Sequence, residues 1–88
     1  MKLRNDYLLT PMGEDYVLVP IGQAAEKFHG IAKLNETAAF IVRQLQTEND
    51  ADKIVDAMAA EYEGTREQIA AGVEKTLEQL RSIGALCE

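Results

Sequence analysis

The chain has 88 residues, with nine basic and fifteen acidic side chains and a net charge of −6. That length fits a single domain spanning 1–88, with a thin core and no interior for a large cofactor. The acidic balance argues against nucleic acid, which favours a basic face, and the 47% apolar content argues against disorder. The longest apolar run, Ala38–Val42, falls far short of the roughly 20 residues of a membrane span. Residues 1–9 hold no hydrophobic stretch of signal-peptide length, so a cytoplasmic location is expected. The lone cysteine, Cys87, permits no internal disulfide.

The first half is strand-like. Tyr7–Thr10 and Tyr16–Val19 are short β-prone runs, with Gly13-Glu14-Asp15 between them as hairpin punctuation. Pro20 and Gly22 close the second run. Ala24–Lys27 has room for one helical turn and decides nothing alone. Phe28–Leu34 is the third expected strand, weakened by Gly30 and firmest over Ile31–Leu34.

From Asn35 the apolar period becomes helical. Asn35 is a good N-cap, and Ala38, Ile41, Val42 and Leu45 mark one face of a helix running to about Gln46. After a break at Thr47-Glu48-Asn49, Asp50 caps a second helix with the stripe Ile54, Val55, Met58, Ala59 and Tyr62. Gly64 ends it. Thr65-Arg66-Glu67-Gln68 reads as a capping box opening a third helix, with Ile69, Val73, Leu77 and Leu80 on its stripe, stopping near Gly84. The expected class is therefore α+β. It has three short antiparallel strands followed by three helices (β-β-β-α-α-α), in a winged-helix-like arrangement.

Catalytic chemistry finds little support. His29 is the only histidine, at the start of the third strand, and reads as a strand-edge residue. Cys87 lies where chain ends fray, with no activating base predictably near. Asp52 and Asp56 are spaced for one helix face, but carboxylates there also suit the positive end of the helix dipole, so no metal is expected. No phosphate loop, dinucleotide fingerprint or Ser/His/Asp spacing is present. A binding module without cofactor is the expected class.

Two kinds of partner fit such a module. A helix-turn-helix pair suits DNA, but residues 50–63 hold Lys53 against five acids, and the third helix is not basic. An extended peptide suits a sheet edge, pairing with free backbone groups while its side chains enter a groove beside a helix. The third strand carries Lys33, a residue that keeps edges soluble. Gly72, on the shoulder of the third helix's stripe, is either an approach point for another backbone or a tolerated surface glycine. In a helix interior it costs about 1 kcal/mol relative to alanine. A third reading is a subunit that docks to protein through its acidic second helix.

The stretch Leu34-Asn35-Glu36-Thr37-Ala38-Ala39-Phe40-Ile41 resembles the strand-to-helix signature of the PqqD-like family. In the same order, Asp52–Met58, Glu61-Tyr62-Glu63 and Leu77–Leu86 resemble the family's downstream helices. The resemblance spans about residues 7–88. It implies a non-catalytic recognition element that binds the leader of a ribosomally made precursor peptide as an added strand. Such an element presents the peptide to a modifying enzyme, often of the radical S-adenosylmethionine (SPASM-type) class. The implied edge is Ile31, Ala32 and Lys33, and the implied helix wall is Val73, Thr76 and Leu77. On the residues alone, Val73 and Leu77 also belong to the core stripe. The Ile21–Gly30 segment is longer than in a plain quinone-pathway member, so leader binding follows more firmly than any one pathway. Exposed edges leave a homodimer open.

Overall fold

The computed structural model describes residues 1–27 and 30–88. Among these the chain forms β1 (Lys2–Leu3), β2 (Tyr7–Met12), β3 (Asp15–Pro20), α1 (Gln23–Lys27), β4 (Ala32–Leu34), α2 (Glu36–Gln44), α3 (Ala51–Glu61), α4 (Arg66–Ser82) and β5 (Leu86–Cys87). The α+β class and the strand-then-helix order match the expectation, with corrections. Four helices form, because Gln23–Lys27 does close a turn. The third expected strand is shorter, since only Ala32–Leu34 pairs and Ile31 stands before it, exposed. Its expected start at Phe28, and His29 with it, lie outside the described residues.

The main sheet is antiparallel in the order β2-β3-β4. A two-residue turn, Gly13-Glu14, joins β2 to β3, with Gly13 at φ 64°, a conformation that hairpin turns of this length demand. Alternation then sorts the side chains. Tyr7 and Leu18 face the helices with Leu34 and join the core, flanked by Leu9, Tyr16 and Ala32. Leu8 and Met12 lie on the opposite face and stay exposed.

Local chemistry places the helices as the sequence suggests. The Asn35 side chain accepts from the Ala38 amide at 2.9 Å, and Asp50 accepts from Lys53 at 2.9 Å. Thr65 and Gln68 complete a reciprocal capping box at 3.1 and 3.0 Å. Ile54, Val55 and Met58 of α3 meet Ile69, Val73, Leu77 and Leu80 of α4 in one core. Ala59, expected on that stripe, is exposed, because α3 turns only its first three stripe positions inward. Tyr62 is half-buried beyond the end of α3 and meets Phe40 edge to face at 5.5 Å.

The second sheet had no signal in the sequence. Lys2 and Leu3 pair with Cys87 and Leu86, so Cys87 sits in a strand and not in a frayed end. Leu3 and Arg4 donate to the Leu45 and Ala85 carbonyls at 2.8 Å each. The amino-terminal ammonium reaches the Asn49 carbonyl at 2.9 Å and also pairs with Glu48. The Tyr7 hydroxyl donates to the Ile83 carbonyl at 2.9 Å and ties the main sheet to the end of α4.

The face assignment is open to test by denaturation. Leu18, fully buried, and Leu8, 52% exposed, are both strand leucines. Leu18→Ala is expected to cost about 2–5 kcal/mol by emptying the core. Leu8→Ala should cost under about 0.5 kcal/mol, as surface substitutions do. Urea unfolding followed by circular dichroism measures both.

Candidate functional site

Two prolines decide which backbone groups face where. In an antiparallel pair, opposed residues alternate between exchanging two hydrogen bonds and exchanging none. Pro11 opposes Tyr16, and Pro20 opposes Tyr7. Proline lacks an N–H, so both pairs must be of the non-bonded kind. The next step outward agrees, since Ile21 donates to the Asp6 carbonyl at 2.8 Å. Asp15, Val17 and Val19 therefore bond to β2, which leaves Tyr16 and Leu18 to bond to β4. Their partners there are Leu34 and Ala32. Lys33, between them, turns its own N–H and C=O away from the sheet.

No strand among the described residues pairs with that outer side of β4. What faces it is α4, across a cleft formed by two adjoining depressions of about 250 and 260 Å³. Both are lined by Lys33 and Leu34 on the strand side and by Thr76 and Gln79 on the helix side. One extends past Asn35 and Thr37 to Gly72 and Lys75, and the other past Ala32 to Ser82 and Ile83. The cleft thus runs the length of the strand with a helix as its far wall.

Each residue expected at the site has a definite place. Ala32 and Lys33 form the strand side, and Thr76 stands on the helix wall. Ile31 is exposed just before β4, in phase with Lys33. Val73 and Leu77 are 1% and 0% exposed, and neither lines the cleft. They lie beneath the wall and hold it in place, as the core reading of that stripe has it. The wall is made instead by Gly72, Lys75, Thr76 and Gln79. Their spacing of three, four and seven residues is itself one face of a helix. That pattern was available in the sequence, but it is polar and small, and a search for apolar stripes passes over it.

The cleft's electrostatics differ from the protein's average. Two lysines, Lys33 and Lys75, line it, and no carboxylate does so among the described residues. The Lys33 ammonium lies 3.5 Å from Asp15 on the outer sheet face, leaving its backbone at the cleft. The acidic side chains of residues 50–63 sit on or beside α3, where Asp56 pairs with Arg66 of α4 at 2.7 Å. Gly72 has ordinary negative-φ backbone, and a Cβ built there meets nothing within 4 Å. Nothing in the fold itself requires glycine at this position.

Among the described residues no group of three or more His, Cys, Asp or Glu gathers where it could hold a metal. No helix among them is long and apolar enough to cross a membrane. The arrangement offers a row of backbone groups, the Lys75 ammonium, hydroxyls and amides: equipment suited to an extended chain.

The sequence matches the family described as coenzyme PQQ synthesis protein D (PqqD) over residues 15–86. The chain belongs to the PqqD family. Two solved structures share its fold at 22% identity each. One is described as TbiB1 in complex with the TbiA(beta) leader peptide, with a TM-score of 0.74 over 93% of this chain and 90% of that one. The other is described as lasso peptide synthetase B1 complexed with the leader peptide, with a TM-score of 0.75 over 99% and 96%. Among curated proteins nothing matches.

The strand parity of this PqqD-family chain makes a prediction that needs no ligand. Lys33→Pro removes an N–H that makes no ladder bond and should cost about 1 kcal/mol or less. Ala32→Pro removes the donor to the Leu18 carbonyl and should cost about 1–3 kcal/mol, because that buried acceptor loses its partner. Urea midpoints of the two variants in the opposite order would show that the edge has been assigned backwards.

Proposed function

We propose that this protein is a non-catalytic recognition element for the leader segment of a ribosomally made precursor peptide. The leader adds as a strand to β4 and lies against α4. The observation that carries this reading is the unpaired outer side of β4, with Lys33's N–H and C=O facing a walled cleft. Family membership and the leader-peptide complexes among proteins of the same fold support it. Its partner enzyme is a peptide-modifying enzyme, and the family resemblance points to the radical S-adenosylmethionine class.

The size of the edge sets the expected strength. Ile31 and Lys33 together present about four ladder groups, each contributing roughly 1 kcal/mol net. Two leader side chains buried against α4 add roughly 2 kcal/mol each. Ordering a disordered leader removes about 2–5 kcal/mol. The remainder corresponds to dissociation constants from about millimolar to tens of micromolar. Tethering to a modifying enzyme then raises the effective affinity through linkage.

Selection from displayed random peptides of about 15 residues tests the reading directly. Enriched peptides should bind the wild type and lose at least tenfold in affinity to Lys33→Pro, provided the variant stays folded. Undiminished binding by folded Lys33→Pro would overturn strand addition at this edge.

The lysine-lined cleft gives a second expectation. Among the enriched peptides, those with an acidic residue should bind Lys75→Glu about three- to tenfold more weakly at low salt. That difference should shrink as ionic strength rises. Isothermal titration at two salt concentrations reads both effects.

A further inference from the structure

The large apolar side chains that stay exposed among the described residues are Leu8, Met12, Ile21 and Ile31, each 44–54% exposed. Strand alternation puts all four on one face of the main sheet, the face turned away from the helices. Leu8 opposes Val19, and Met12 opposes Asp15. Ile21 continues the row of Val17 and Val19, and Ile31 continues that of Lys33. Val17, in the middle, is 5% exposed yet stands outside the core cluster, which gathers on the other face. Charge also sets this face apart from the rest of a −6 chain. Within its rows the only charged groups are Asp15 and Lys33, which pair at 3.5 Å and are 44% and 67% exposed. The acids of residues 50–63 belong to the helical layer instead.

We infer that this face binds a second copy of the same chain about a twofold axis. Such a contact is self-complementary, so each residue must meet a suitable partner drawn from the same short set. The face meets that condition. On a sheet lattice of about 4.8 Å between strands and 3.4 Å per residue, one in-plane axis sets Lys33 opposite the partner's Asp15. The same axis sets Met12 against the partner's Ile31 and brings Val17 and Leu8 close to their own counterparts. Each ammonium gains a second carboxylate, and no like charges stand directly opposite. The strands cross at about 70°, near the orthogonal class of sheet packing. Size sets the strength. The exposed parts of these side chains come to on the order of 600 Å² per copy, so a pair buries about 1,200 Å², the lower bound of specific interfaces. The dimer is therefore reversible, with a dissociation constant of about 10–1,000 µM. It leaves the outer side of β4 free, so both clefts stay open and the contact does not depend on strand addition.

Sedimentation velocity of the full chain, from about 10 µM to about 2 mM, measures the contact. The sedimenting mass should rise from one chain toward two. Leu8→Lys changes a half-exposed position far from the β4 edge, so the variant should keep its circular dichroism spectrum. It should weaken the dimer about tenfold or more. Asp15→Lys and Lys33→Asp should each weaken it to a similar extent, because like charges then face each other across the axis. An equimolar mixture of these two variants should dimerise again, within about threefold of wild type. Such rescue cannot come from chains that have lost their fold. Wild type that stays monomeric at the highest concentration would overturn the inference and leave the face to a different protein. A dimer that withstands Leu8→Lys, or that mixing the charge variants does not restore, would overturn it as well, since another surface then pairs.

Discussion

The cleft depends on a parity carried across three strands. Pro11 and Pro20 each occupy a position where β2 and β3 exchange no hydrogen bonds. That forces alternate residues of β3 toward β4, and in turn leaves Lys33 facing outward. A register shift of one residue would reverse every assignment. It would bury the donor that the cleft needs and turn Leu18 and Tyr7 to solvent. The core therefore guards the edge: the register that fills the interior is the register that leaves Lys33's backbone free.

The helical layer serves the same end by dividing labour along one helix. On α4, the stripe Ile69, Val73, Leu77 and Leu80 locks into the core, and the neighbouring face of Gly72, Lys75, Thr76 and Gln79 lines the cleft. The two faces share a backbone, so the wall is as rigid as the packing behind it. A rigid groove loses less entropy on receiving a peptide than one that must form around it. The carboxylates concentrated at residues 50–63 lie on the α3 side and leave the lysine-lined cleft its own local sign.

Much of this was legible in the residues because the signals were local. Asn35, Asp50 and the Thr65/Gln68 box mark the helix starts by side-chain chemistry that needs no tertiary partner, and all three form. The α4 stripe and the antiparallel hairpin were equally plain. What escaped was non-local. Lys2–Leu3 and Leu86–Cys87 have no strand character of their own and become strands only because folding brings them together. Of the residues that the family resemblance put on the helix wall, Thr76 lines the cleft, whereas Val73 and Leu77 lie in the core, as their apolar periodicity also read. The cleft-lining face of Gly72, Lys75, Thr76 and Gln79 sits one step around the helix and carries no hydropathy signal.

The prolines have one more effect, on the far side of the sheet. A sheet that offers two good edges can join head to tail without limit, since each copy can extend the last. Here the backbone groups that β2 points away from the sheet belong to Tyr7, Leu9 and Pro11, and Pro11 interrupts that row of donors. A second copy that offered its own edge to β2 would meet a broken row there. Proline on β2 thus makes the two edges of the sheet unequal, and the unbroken one is the edge that faces α4.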